Sequence, residues 1–154
     1  MQTQPQPSTK PTSSMTELFG DVISAYTRQQ AIEDGCLVDV STVAREAGFR
    51  WPVAVTRRLW DMIENPPNRH EDAQGRLWDV VWMAKLAARR NVGQAARFQM
   101  VLTRKETKII TDPYSKRYGK PHTAIVRNIW LKAVVSAEGP NGGPCITIML
   151  PDED

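Results

Sequence analysis

"GRLWDVVWMAKLAARRNVGQAARFQMVLT", residues 75–103, contains the change of period on which the fold turns. Up to Asn91 the apolar residues recur at helical spacing: Leu77, Val81, Ala84 and Ala88 form one stripe, and Trp78 and Trp82 sit four apart beside it. Arg89 and Arg90 occupy the last turn, where cations complement the negative end of the helix dipole. After Gly93 the period falls to two, with Phe98, Met100 and Leu102 on one face. The same alternation returns in "CITIML" (145–150) with Ile146, Ile148 and Leu150, and "TAIVRNIWLKAVV" (123–135) between them is rich in β-branched residues. Helices first and strands afterwards imply an α+β domain: short N-terminal helices and one central Trp-rich helix, packed on a C-terminal antiparallel sheet of three to four strands.

Upstream, "TRQQAIEDG" (27–35) has the capping-box pattern, with Thr27 as N-cap, Gln30 reaching back and Gly35 as the stop, so a short helix is expected from Arg28 to Asp34. "CLVDV" (36–40) reads as a brief extended link, and Ser41 as the cap of a second short helix ending at Gly48. A third helix is expected from Val53 to Glu64, presenting Val55, Leu59, Met62 and Ile63, and closed by "NPPN" (65–68). "EGPNGGP" (138–144) reads as the turn between the last two strands. "MTELFGDVISAY" (15–26) places Leu18, Phe19, Val22 and Ile23 at helix-like spacing, a helical lead-in. "MQTQPQPSTKPTSS" (1–14) has too little apolar surface to offset its ordering entropy and is expected to be a disordered tail, leaving 15–154 as a single domain.

No run approaches the length needed to span a bilayer and no secretory leader is recognisable, so the chain is expected to be soluble, without membrane association, and cytoplasmic. Cys36 and Cys145 lie in apolar contexts and read as buried thiols in a reducing compartment. His70 and His122 have no second His or Cys at ligand spacing, and no phosphate-cradling Gly motif occurs; no metal and no cofactor are expected. The net charge of +3 conceals a segregation: Lys85–Lys132 holds twelve Lys and Arg against Glu106 and Asp112.

Three stretches compete for function. "DVSTVAREAGFRWPVAVTRRLW" (39–60) resembles a helix-turn-helix that would offer Arg57 and Arg58 to DNA, but Trp51-Pro52 lengthens the turn, and Asp61 and Glu64 share the reading face. "RKETKIITDPYSKRYGKPHTAIVR" (104–127) sets Tyr114 and Tyr118 among Lys116, Arg117 and Lys120 around a turn built by Asp112-Pro113 and Gly119. Basic residues grip phosphate and tyrosines supply stacking faces, so Arg104, Lys105, Lys108, Tyr114, Lys116, Arg117, Tyr118, Lys120 and Arg127 form the candidate interface for nucleic acid or a nucleoprotein partner. The bland alternative is a solvated hairpin whose lysines discourage edge pairing. The third stretch, Tyr26 to Asp39, offers Arg28, Glu33, Asp34 and Asp39 as polar groups for an enzyme, with no partner group that fixes a reaction. The expectation is therefore a binding protein and not an enzyme.

"YTRQQAIEDGCLVDVS", "AREAGFRWPVAVT", "GRLWDVVWMAKLAAR" and "GPCITIMLPDED" resemble a family of small uncharacterised bacterial proteins encoded on plasmids, phages and integrative elements, over about residues 26–154. The resemblance brings no activity or catalytic residue. It implies a setting: accessory genes of mobile elements, whose products counter host restriction or CRISPR defence or assist transfer.

Overall fold

The computed structural model describes residues 26–154. The expected tail and all but the last residue of the expected lead-in fall on residues 1–25, outside the described ones.

Helix α1 (Arg28–Glu33) starts as its capping box requires: the Gln30 amide donates to Thr27 Oγ1 at 3.2 Å and the Thr27 amide donates to Gln30 Oε1 at 2.8 Å. Gly35, at φ 76°, turns the chain into β1 (Leu37–Asp39), so part of the expected link is a strand, antiparallel to β2 (Val53–Thr56). Helix α2 (Ser41–Glu46) follows, but Ser41 is not its cap. Its amide and hydroxyl both donate to Asp39 Oδ1, at 3.0 and 2.5 Å. The Ser41 hydroxyl also accepts the Val53 amide at 3.1 Å, so it is spent on joining β1 to β2 rather than on the helix amides. Gly48 ends this region at φ 92°, with the Lys85 ammonium in the space a side chain would need.

The helix expected over Val53–Glu64 is strand for its first four residues and helix, α3 (Arg57–Glu64), only afterwards. Val53, Ala54 and Val55 are sealed on both faces of the sheet, and branched side chains that fill such a pleated position override their helical spacing. Thr56 becomes the N-cap, accepting the Leu59 amide at 3.4 Å. After the proline stop come the long helix α4 (Ala73–Arg90), capped by Asp72, then β3 (Ala95–Ile109), β4 (Pro121–Ser136) and β5 (Cys145–Met149). The expected turn before β5 is a single 3₁₀ turn, Pro140–Gly142, with Asn141 at φ 56°.

The domain is α+β, but the sheet has five strands in the order β1-β2-β5-β4-β3, and it is mixed: β2 pairs with β5 in parallel. A parallel neighbour needs a crossover, which here runs through α3, α4, β3 and β4. Helices α2, α3 and α4 cover one face, where Ala44, Leu59, Ile63, Leu77, Val80 and Val81 meet Val55, Phe98, Met100, Leu102, Leu131 and Ile148. Phe98, Met100 and Leu102, and likewise Ile146, Ile148 and Leu150, share this face as their spacing implies. Helix α1 lies on the other side, where Arg28 reaches Thr147.

The long helix is central, yet its tryptophans are not what it packs with. Leu77, Val80, Val81 and Ala84 face the core, while Trp78 and Trp82 remain 36% and 42% exposed and Ala88 is exposed near the C-terminal end. The two indoles instead stack on each other at the flank, with centroids 6.0 Å apart, and the Lys85 ammonium stands 5.7 Å from the Trp82 ring.

Candidate nucleic-acid interface

β3 and β4 are longer than the core they cover. Val101 pairs with Asn128 and Arg104 with Val126, so Leu102 and Thr103 together oppose Arg127 in a β-bulge. Leu102 is the last core residue of β3, and no side chain from Thr103 to Asn128 is buried. Beyond the bulge the two strands continue as an arm, whose six steps from Arg104 to Ile110 span about 20 Å at ~3.4 Å per residue.

The base of the arm is held by one buried side chain, Arg76. Its guanidinium donates to Ile63 O (3.1 Å), Met62 O (2.8 Å), Thr103 O (2.7 Å) and Thr103 Oγ1 (3.0 Å), and is ion-paired with Glu71. The end of α3, the loop before α4 and the bulge are thereby tied to one group. The Thr103 hydroxyl donates to Glu71 at 2.5 Å, and that bond, with Asn68 and Arg76, holds the Glu71 carboxyl below the usual range although partial burial opposes it.

At the tip the backbone is closed on itself. The Ile110 amide donates to Lys120 O at 3.0 Å and the Gly119 amide, from a residue at φ 74°, to Ile110 O at 2.9 Å. Asp112 Oδ1 accepts the Tyr114 amide at 3.0 Å, and Ser115 Oγ accepts the Arg117 amide at 3.2 Å. All of these bonds are local, so Tyr114 (95% exposed), Tyr118, Lys116, Arg117 and Lys120 are presented outward from an ordered loop.

The nine expected interface residues thus lie on one arm but are not equivalent. Lys116, Arg117, Lys120 and the two tyrosines sit at the tip, and Lys105 and Arg127 are exposed near the base. Arg104 is engaged within the protein, donating to Asn128 O at 2.8 Å and to Glu106 at 2.5 Å. Lys108 stands 3.4 Å from the same carboxylate. Burial works against ionisation of Glu106, but Arg104 and Lys108 outweigh it and keep its pKa below the usual range.

The other candidates separate more sharply. β2 intervenes between α2 and α3, so residues 39–60 form helix–strand–helix rather than two helices joined by a turn. Arg57 pairs with Asp61 at 2.9 Å and Arg58 with Asp152 at 2.6 Å, which neutralises the supposed reading face. Of the Tyr26–Asp39 group, Tyr26, Arg28 and Asp39 line a common cavity; Glu33 instead takes a bond from Gln29 and Asp34 one from the Tyr26 hydroxyl. Cys145 is buried as expected, but Cys36 is exposed, because it precedes an edge strand. His70 and His122 are exposed, and among the described residues no three His, Cys, Asp or Glu side chains could hold a metal.

Sequence reasoning missed Arg76, whose signal was a charged residue four before Val80 on the buried stripe. It also missed Val101 and Trp130, half exposed or more on strands that otherwise read as core.

A family model matches residues 15–154, nearly the whole chain. The chain belongs to a family of unknown function, DUF6573. No curated protein and no solved structure matches it.

Proposed function

We propose that this protein is a non-enzymatic nucleic-acid-binding protein that grips its target with the β3–β4 arm. The observation that carries the reading is the arm itself: a two-stranded ribbon beyond the core, with an ordered tip and seven Lys and Arg against Glu106 and Asp112 over residues 104–127. A two-stranded ribbon fits a major groove about 12 Å wide, and exposed tyrosines beside cations suit unpaired bases. The setting we propose, an accessory protein of a plasmid, phage or integrative element acting in the cytoplasm on host nucleic acid or nucleoprotein, as in anti-defence, rests on the resemblance noted above.

Salt titration tests it. If Lys116, Arg117 and Lys120 contact phosphates, replacing all three with Ala should weaken binding to unrelated sequences and flatten the dependence of log K on log salt by about 2.7 for duplex and about 2.1 for single strands. Tyr114→Ala and Tyr118→Ala should then weaken single-strand binding more than duplex binding, because paired bases offer no free face. Equal slopes for wild type and triple variant would remove the tip from the interface. Association that survives nuclease and is insensitive to strandedness would assign the arm to an acidic protein surface instead.

A further inference from the structure

Away from the arm, the described residues include a buried cation without a counter-charge and a cavity beside it. Arg28 is only 8% exposed, yet it has no carboxylate partner among the described residues. Nη1 donates to Thr147 Oγ1 at 2.6 Å and Nη2 to Ile146 O at 2.8 Å, both neutral acceptors. A guanidinium carries five N–H donors, and a buried one without a counter-charge is costly. No buried side-chain nitrogen or oxygen of the described residues lacks a partner, so Nε, for which there is none, is not sealed in. Arg28 lines a cavity of about 720 Å³.

That cavity has a second cation, Arg45, exposed and unpaired among the described residues. Its acceptors are Glu138 and Asp39, the latter already fixed in place by Ser41 through one oxygen, which leaves the other available. Tyr26 and Pro52 add flat apolar surface. The wall formed by residues 139–142 belongs to a turn closed on itself: the Gly139 amide donates to Gly143 O at 2.9 Å, the Gly142 amide donates to Gly139 O at 3.0 Å, and a side chain at Gly139 would collide with backbone. Two guanidiniums, two carboxylates and an aromatic face in a cavity of ligand size suit a molecule that carries a phosphate, hydroxyl donors and a flat ring.

We propose that this cavity is a nucleotide-binding site, with Arg28 and Arg45 on the phosphate, Asp39 and Glu138 on the sugar hydroxyls and Tyr26 against the base. It is separate from the arm and does not depend on the arm's function. Calorimetric titration of the full chain with AMP, adenosine and inorganic phosphate tests it. AMP should bind at least about tenfold more tightly than adenosine or phosphate alone, and Arg45→Ala should weaken AMP by about tenfold or more, as expected for loss of a charged hydrogen bond. Glu138→Gln should weaken AMP but leave phosphate binding unchanged. The Lys116, Arg117 and Lys120 triple variant should bind AMP as wild type does. Arg28→Lys should also lose AMP; because Arg28 is buried and that variant can fail to fold, exposed Arg45 carries the decision. No AMP binding at about 1 mM, equal affinity for AMP and adenosine, or an Arg45→Ala variant indistinguishable from wild type would overturn the site.

Discussion

Arg76→Ala is the change that most directly tests how the arm is built on the domain. The substitution removes the guanidinium's bonds to Met62 O, Ile63 O and Thr103 O and strips Glu71 of its cation, in a place where the Arg76 side chain is 7% exposed. Removing one partner of a buried pair costs about 3–5 kcal/mol, and each buried acceptor left without a donor about 1–3 kcal/mol; these do not add, because one void serves all of them. Glu71 is 27% exposed, so water can reach part of the gap, which points to the lower end, about 3 kcal/mol. With a urea m-value of about 1.5 kcal/mol/M the unfolding midpoint should fall by about 2 M. Urea denaturation followed by tryptophan fluorescence reads it, since the chain has five tryptophans. Arg76→Met keeps most of the apolar stem and none of the donors. If it were as stable as wild type, the hydrogen bonds would contribute nothing and the clamp would be refuted; a loss below about 1 kcal/mol in Arg76→Ala would do the same. The pH dependence supplies a second check. Glu71 has a folded pKa below its unfolded value of about 4.3, so its contribution is fully present above that value and is lost as pH falls through the lower folded pKa. Wild type should therefore lose more stability than Arg76→Ala on acidification through this window.

Two further outcomes follow from the packing and from the surface charges. Leu77→Ala should cost about 2–4 kcal/mol and Val81→Ala somewhat less, whereas Trp78→Ala should cost less than Leu77→Ala, since Leu77 is sealed in the core while Trp78 keeps 36% of its surface in water and packs at the flank; denaturant midpoints rank the three, and a larger effect at Trp78 would reverse our account of the α4 face. Replacing Arg57 and Arg58 with Ala should leave nucleic-acid retention unchanged in a filter-binding assay and alter stability by no more than about 1 kcal/mol, since both sit in exposed pairs; sequence-selective binding that vanished in this variant would restore α3 as a reading helix.

What the chain settles locally was legible from residue order. The Thr27 box, the stop at Pro66-Pro67, the helix around Leu77–Ala84, the alternation of Phe98, Met100 and Leu102 and the ordered tip at Asp112–Gly119 depend on interactions within a few residues, and these appear as patterns of spacing and type. Segregation of basic residues into 85–132 was equally visible, because net charge needs no fold. Tertiary structure alone decided the rest. Val53–Thr56 carries helical spacing but is a strand, because β5, some ninety residues later, offers it a parallel partner and burial on both faces. Trp78 and Trp82 mark the helix expected to pack on the sheet, but Leu77, Val80, Val81 and Ala84 are what it buries there, and the two indoles stack at the flank. Sequence reasoning does not mark Arg76 and Arg28 as buried; Arg76 is held by carbonyls of α3 and β3 and Arg28 by a carbonyl and a hydroxyl of β5, and the partners of a long-range hydrogen bond leave no periodic trace in the chain that makes it.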